Sequence, residues 1–424
     1  MCGDRWQGFA VLACALAAAC GAQSEAAGRC DPGDAGLTVP AGFCVQLVAD
    51  GVGVARHLAV ASNGDLFVAI RGDEGGVLAL RDTTGDGRAD VRSWFARSSV
   101  GGTGLELAGD ALYFGADDAV VRYPYRVGAL EPAGPPDTIV RDLPAVRSHR
   151  AKSLALGAGG SLFVNVGSPS NACQQQDRTA GSPGIDPCPE LATRAGVWRF
   201  DASRSGQTQA EGERFATGLR NTVALAMGPG AALYGLQHGR DQLIQNWPDL
   251  YDERKSAENP AEEFVRIERG DDYGWPYCYY DVDLGRKVLA PEYGGDGQKV
   301  ERCANVKSPI LVFPGHWAPN DLLFYEAGQF PGRYRGGAFI AFHGSWNRAP
   351  LPQEGYKVVF APFANGRPAG EYETFADGFA GDQKDPREAD HRPTGLAVGP
   401  DGSLYVADDR GGRIYRIRYA GSGS

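Results

Sequence analysis

Four leucines, Leu58, Leu154, Leu225 and Leu396, are each followed eight residues later by another, at Leu66, Leu162, Leu233 and Leu404. This register constrains the fold more than any other feature of the chain. Each copy holds two short alternating apolar runs around a turn: Asn63-Gly64 in LAVASNGDLFVA, Gly159-Gly160 in LALGAGGSLFVN, Pro229-Gly230 in LAMGPGAALYGL and Asp401-Gly402 in LAVGPDGSLYVA. Asn-Gly, Gly-Gly and Asp-Gly supply the positive φ of a tight turn, so each copy predicts a β-hairpin. A fifth copy, LELAGDALYFGA from Leu105, is one residue shorter, and GGAFIAFHGSWNR from Gly336 reads as the second strand of a sixth. Six such units over about 370 residues have the spacing of blades, and the expected fold is an all-β, six-bladed β-propeller with extended inter-strand loops.

Composition agrees with this expectation. A chain of 424 residues with 60 Gly, 27 Pro and only two Met is turn-rich, and propellers reach such lengths by radial repetition. No linker of low complexity divides it, so residues 28–424 are expected to form one domain. The formal net charge of −10, without a basic cluster, argues against a nucleic-acid partner.

Residues 1–22 read as a targeting segment. Phe9 to Ala19 is apolar and small, long enough for a signal peptide and too short to span a bilayer. Ala17-Ala18-Ala19-Cys20-Gly21 is similar to a bacterial lipobox, although Ala17 stands where Leu is usual and Asp4 offsets Arg5. Export to the periplasm or cell surface with a lipid anchor at Cys20 is the expectation, and ordinary signal cleavage is the alternative. Beyond this segment lie Cys30, Cys44, Cys173, Cys188, Cys278 and Cys303. An even count in an exported chain suggests three disulfides. Pairing sequence neighbours gives Cys30 to Cys44, Cys173 to Cys188 and Cys278 to Cys303, and no pair has the spacing of a zinc knuckle.

The register also predicts where function sits. Residues before the key leucine, and those about fourteen after it, lie at the open ends of the hairpins, which all face one side of the ring. Five before stand His149, Arg220 and His391; fourteen after stand Ser168, Gly239 and Arg410. Imidazoles and guanidiniums around the mouth suit an anionic ligand, since Arg offers a planar fork for carboxylates. Solvated loops carrying inexpensive charge are the bland alternative.

Several segments carry a family likeness. GVWRF (Gly196 to Phe200), FATGLRN (Phe215 to Asn221), LQHGRDQL (Leu236 to Leu243) and GDDYGWPYC (Gly270 to Cys278) occur in the order found in the soluble PQQ-dependent sugar dehydrogenases, and the chain resembles their sorbosone dehydrogenase branch most. GHWAPNDLLFY (Gly315 to Tyr325), FIAFHGSWNRAP (Phe339 to Pro350) and RPTGLAVGPDGSLYVADD (Arg392 to Asp409) extend the resemblance over roughly Gly42 to Tyr419. The resemblance implies pyrroloquinoline quinone (PQQ) and calcium as cofactors and hydride transfer to C5 of the quinone. It makes His149 the general base, a role suited to a group titrating near neutrality. It places Arg220 and Asn221 against the quinone oxygens, and the main-chain carbonyls of Gly239 and Arg240 on the calcium, a hard cation that takes such oxygens. Lys152, Arg348 and Arg392 are nominated for the quinone carboxylates, with surface or ion-pair roles as their alternatives. His343 reads as a packed loop histidine. Two departures stand out: Ser168 replaces the Asp that partners the base in glucose-oxidising members, and Arg240 replaces a Pro.

The segment Asp82 to Asp90 places Asp82, Asp86, Gly87 and Asp90 in an EF-hand-like order, but Thr84 stands at position three and no Glu follows at twelve. A plain turn is the favoured reading. The functional expectation is therefore an exported quinoprotein dehydrogenase acting on a sugar, aldose or sugar-derived aldehyde. No haem motif is present, so electrons would pass to a separate acceptor, a quinone or cytochrome. A calcium-dependent lactonase-type hydrolase and a non-catalytic binding propeller share the expected fold, and fold alone does not separate them.

Overall fold

The computed structural model describes Met1 and residues 30–421; the targeting segment and Cys20 lie outside them. Six sheets, each built on four antiparallel strands, are arranged in a ring, and the third carries a short parallel fifth strand, Asp271–Asp272. The first comprises Ala55–Val60, Leu66–Ile70, Gly76–Arg81 and Val91–Arg97, and the second Gly102–Ala108 to Asp137–Val140. The third spans Leu154–Gly157 to Glu213–Thr217, the fourth Ala224–Gly228 to Leu311–Phe313, and the fifth Pro319–Phe324 to Glu373–Ala376. The sixth is built from Pro393–Val398, Leu404–Asp408 and Ile414–Tyr419, and Phe43–Ala49 from the other end of the chain supplies its outer strand. The six-bladed propeller read from the leucine register is the fold.

The register works because it marks equivalent positions of every innermost strand. Leu58, Leu105, Leu154, Leu225, Leu322 and Leu396 all line the central channel, a cavity of about 310 Å³. The fifth blade hides its copy because Leu322 follows the polar run Pro319-Asn320-Asp321. The turns deliver the expected backbone: Gly64 and Gly402 adopt φ of 91° and 85°, and their amides close on the Ala61 and Gly399 carbonyls at 2.9 Å each. Two acids, Glu106 and Asp321, share the channel with the leucines.

Both faces of each sheet are covered by its neighbours, so second strands such as Leu66–Ile70 and Ala338–Phe342 are buried at every position. Six inter-blade cores result. These strands are thus apolar on both faces, with Phe67 and Phe95 packing on Phe114 and Tyr123 on one side of the first blade, and Val68 and Leu78 meeting Tyr405 on the other. Phe43, Phe330, Tyr334, Phe339 and Phe375 fill the core between the fifth and sixth blades with edge-on ring contacts 4.7–5.9 Å between centroids. Burying each such side chain contributes about 1.5–3 kcal/mol.

The three expected disulfides form, Cys30–Cys44, Cys173–Cys188 and Cys278–Cys303. Cys173–Cys188 braces the long loop after Ser161–Val166, and Cys278–Cys303 braces an insertion that carries the hairpin Cys278–Asp281 and Arg286–Leu289. The segment Asp82 to Asp90 is a turn whose carboxylates are occupied by its own backbone: Asp82 accepts from the Thr84, Gly85 and Gly87 amides at 3.0, 2.7 and 2.6 Å. Among the described residues no helix is long and apolar enough to cross a membrane.

Candidate functional site

The second strand of every blade ends at the same rim, and the residue just beyond it is Arg71, Asp117, Gly167, His238, His343 or Asp409. In four blades the first strand carries a β-bulge immediately before the key leucine, between Ala55 and Leu58, Gly102 and Gly104, Pro319 and Asp321, and Pro393 and Gly395. Bulges re-aim side chains, and here Arg56, His57, Thr103, Asn320 and Thr394 occupy them. These two sets, from adjoining strand ends, enclose the mouth of the channel.

His149 stands on the third blade in the left-handed region, φ 50°, an uncommon conformation for a residue with a Cβ. It is held there by close packing: a Cβ on Gly167 would lie 2.6 Å from the His149 Cβ. The Nδ1 lies 2.8 Å from the Ser168 carbonyl and 3.1 Å from its hydroxyl. The hydroxyl donates to the Ser170 carbonyl at 2.7 Å, so Nδ1–H donates to the Ser168 carbonyl and the Nε2 lone pair has no partner among the described residues. Burial first, then the Arg220 guanidinium, hold the imidazole well below its ordinary range, opposed by the Ser168 carbonyl.

Arg220 is buried, 2 % exposed. Its guanidinium donates to the Gly239 carbonyl at 2.8 Å, the Asp241 carboxylate at 3.0 Å, and the Asn171 carbonyl and side-chain oxygen at 3.1 Å each. Asn221 accepts from the Asn165 amide at 3.3 Å. Burial opposes ionisation of Asp241, yet Arg220, His316 and Arg178 hold it well below the usual carboxylate range. Beside it, burial pushes Glu262, which accepts from the Gly239 amide at 3.0 Å, up to about 7. His149, Arg220, Asn221 and Gly239 are therefore brought together as the register implied.

Other expected residues sort by what their donors reach. Lys152 is wholly buried and gives its ammonium to the Pro144 and Arg150 carbonyls at 2.9 and 2.7 Å; burial lowers it to about 7. Arg392 donates to the His343 and Gly344 carbonyls at 3.0 and 2.8 Å. Arg348 is spent on loop packing, with bonds to Ala257, Gly315, Pro352 and Glu258 of 2.6–3.1 Å. The Arg240 side chain forms a buried ion pair with Glu292, away from the mouth, while its carbonyl receives no hydrogen bond among the described residues. His391 and Arg410 face the outer rim: His391 is held by Asp408 at 2.8 Å and Arg413 at 2.9 Å, and Arg410 binds the Ala389 and Arg387 carbonyls.

The cations that the sequence reading missed are Arg56, Arg71 and Arg150. Burial, then repulsion from Arg56 and Arg150, lowers Arg71 to about 10. Asp117 lies 2.9 Å from Arg150, yet neither its oxygens nor Arg150 Nε and Arg56 Nε make an aligned hydrogen bond. Buried polar atoms are normally bonded, so this cluster is short of a partner. An offset of thirteen after the key leucine, or two before it, would have found Arg71 and Arg56.

A profile of the TrAA12-like family matches residues 37–420, nearly all of the described chain. The chain belongs to the TrAA12-like family. Among proteins similar to this member, a pyrroloquinoline quinone-dependent pyranose dehydrogenase of Coprinopsis cinerea is 28% identical over 240 residues, 47% of this chain and 30% of that protein. An uncharacterized protein of Borreliella burgdorferi is 32% identical over 210 residues, 49% of each chain. The chain thus spans half or less of the length of these curated relatives. The calcium structure of a Trichoderma reesei family AA12 protein superposes with a TM-score of 0.73 at 21% identity, covering 91% of this chain and 97% of that one. The holo form of the Coprinopsis cinerea pyranose dehydrogenase PQQ domain gives 0.73 at 20% identity, covering 90% and 97%.

Proposed function

We propose that this TrAA12-like protein is a quinoprotein dehydrogenase that oxidises a sugar, aldose or sugar-derived aldehyde with PQQ and calcium. The observation that carries the reading is the mouth itself: an imidazole whose Nε2 has no partner among the described residues shares it with buried Arg56 and Arg220 and half-buried Arg71 and Arg150. That donor set fits a flat polyanion, because the Arg56 and Arg150 Nε donors are buried without a hydrogen-bond partner and Arg forks match carboxylates. Arg220 and Asn221 would hold the quinone oxygens, with Arg56, Arg71, Lys152 and Arg392 at the carboxylates. Four of the five Arg348 donors go to loop carbonyls and Glu258, which leaves one N–H for such a contact. The Gly239 carbonyl has a second lone pair beyond its bond to Arg220, and with Arg240 it would offer calcium the oxygens it prefers. Asp241 supplies negative charge on that side.

When bound, PQQ supplies the hydride acceptor and calcium polarises it. His149 takes the hydroxyl proton at Nε2, and the Ser168 carbonyl fixes the tautomer that makes this possible. Its depressed pKa keeps it free of a proton at neutral pH, the state a base requires. Export, with a lipid anchor at Cys20, and transfer of electrons to a separate quinone or cytochrome complete the proposal. The likeness to a pyranose dehydrogenase domain supports a sugar substrate, and the sorbosone-like motifs support an aldehyde form of it. Purified protein is to be titrated with PQQ and calcium and assayed by dye reduction across a sugar panel. Stoichiometric quinone binding with sugar-dependent reduction is expected; absence of quinone binding refutes the reading.

A further inference from the structure

Oxidising a carbinol to a carbonyl releases two electrons and two protons, and the mouth as described so far provides for one proton. The six histidines of the chain differ in what holds them. His57, His149, His238 and His316 each place one ring nitrogen 2.8–2.9 Å from a main-chain carbonyl, of Asn320, Ser168, Pro319 and Ser256. His391 has both nitrogens engaged, by Asp408 and Arg413. His57 and His316 also lie near carboxylates, Asp321 at 3.8 Å and Asp241 at 3.7 Å, but His343 has a carboxylate at hydrogen-bond distance, Asp409 Oδ1 at 2.8 Å from Nε2, together with an Nδ1 that has no partner among the described residues. Its side chain keeps 18% of its surface exposed at the mouth.

The difference is chemical. A neutral carbonyl selects a tautomer but stabilises imidazolium little, whereas an ionised carboxylate stabilises it directly. Against burial, His343, Arg56 at 2.8 Å and Arg392 hold Asp409 far below the usual carboxylate range. Ser168 stands where the third blade lacks a carboxylate, and the fifth and sixth blades together supply the pair that is missing there.

We infer that His343, positioned by Asp409, is the second proton acceptor of the reaction, distinct from His149. This rests on the quinoprotein reading. The hydroxyl O–H bond breaks toward His149 Nε2. The C–H bond breaks with its electron pair, and when a separate electron acceptor removes those two electrons the proton that travelled with them passes to His343 Nδ1 and then to solvent. The charged groups facing the ring are Asp409, Arg392, Arg56 and His238. In the ligand-free protein burial outweighs Asp409 and, with Arg392 and Arg56, keeps His343 down at about 4. An anion paired with those two guanidiniums removes two of the influences that lower it, so the proton-bearing form is better held when the site is loaded.

The test uses the full chain with PQQ and calcium, following sugar-driven reduction and ferricyanide-driven reoxidation separately by stopped flow, with a pH indicator reporting proton release. In His343→Gln, which leaves the Asp409–Arg56 pair in place, the sugar step should stay within about 3-fold of wild type while reoxidation and its proton release slow by roughly 10²-fold, the usual share of general acid–base catalysis. His149→Gln should show the reverse. Independently of turnover, nuclear magnetic resonance of the His343 ring should show its titration midpoint falling in Asp409→Asn and rising when wild type is loaded with PQQ. Reoxidation at the wild-type rate in His343→Gln, equal slowing of both steps, or a midpoint unmoved by Asp409→Asn overturns the inference. Failure of wild type to bind quinone instead overturns the reading beneath it.

Discussion

Replacing Arg220 by Ala tests how far the site doubles as structure. The guanidinium makes four bonds of 2.8–3.1 Å to Asn171, Gly239 and Asp241. Its loss leaves Asp241 buried with Arg178 at 2.9 Å and Asn347 at 2.8 Å. Removing one partner of a buried pair costs about 3–5 kcal/mol when the other is stranded; because Asp241 keeps two donors, the low end, about 3 kcal/mol, is expected. Urea unfolding at neutral pH reads this as a lower midpoint at unchanged slope. The loss should shrink in acid. Asp241 has a folded pKa held below its unfolded value near 3.9, so its contribution is present above that value and disappears as pH falls through the folded one. Arg220→Lys keeps the charge without the fork and should recover part of the stability but little quinone affinity. A loss below about 1 kcal/mol in Arg220→Ala would refute the claim that this residue is a structural tie as well as a ligand contact.

Four further outcomes are expected. His149→Ala should bind quinone nearly as wild type while turnover falls by roughly 10²-fold or more; full activity would remove it from the chemistry. Gly167→Ala places a Cβ 2.6–2.8 Å from His149 and Asn221, so activity should drop far more than the thermal midpoint, and an active variant would show that this contact does not set the imidazole. Burial first, then Asp321, raises Glu106 to about 8, so folded protein holds a proton there that unfolded protein has lost above about 4.3; stability should decline between those pH values, and Glu106→Gln should flatten the decline. Replacing Cys173 and Cys188 together by Ser opens a link of sequence separation 15, for which unfolding experiments should register a loss of about 3 kcal/mol.

The ring was legible because blades repeat and every copy must bury the same innermost leucine. Leu322 escaped notice because its strand opens with Pro319-Asn320-Asp321 and its hairpin is longer. The site was legible only in part. Counting five back and fourteen on reached His149, Arg220 and Gly239 on the third and fourth blades, but on the sixth the same offsets reach His391 and Arg410, which serve the outer rim. The bulges before the key leucines explain the slip. A bulge adds one residue to one strand and leaves no mark in the spacing of apolar positions, so the spacing gives no sign that Arg56 and His57 occupy one. His343 looked like loop packing because its partner, Asp409, lies in another blade 66 residues away. For Arg348, a cation in a family motif does not disclose which of its donors the local backbone already claims.

Five of the six blades are continuous stretches of chain, but the sixth is a seam in which Phe43 lies opposite Tyr419. The join therefore waits until Ile414–Tyr419 has been synthesised, and its two edges must find each other across a loop that encloses the other five blades. The loop-closure penalty grows only as the logarithm of that length, so the seam is slow to find rather than weak once made. Cys30–Cys44 and the bonds from the Leu47 and Val45 amides to the Asp31 and Asp34 carboxylates at 2.8 and 2.9 Å stiffen the incoming strand. Until it docks, Ile414–Tyr419 has one unpaired edge, the kind that recruits a strand from a neighbour. At high concentration two molecules can trade these strands and close each other's rings, so dilution during refolding favours the monomeric ring, and a permuted chain with its ends moved between two other blades would fold without a seam at this position.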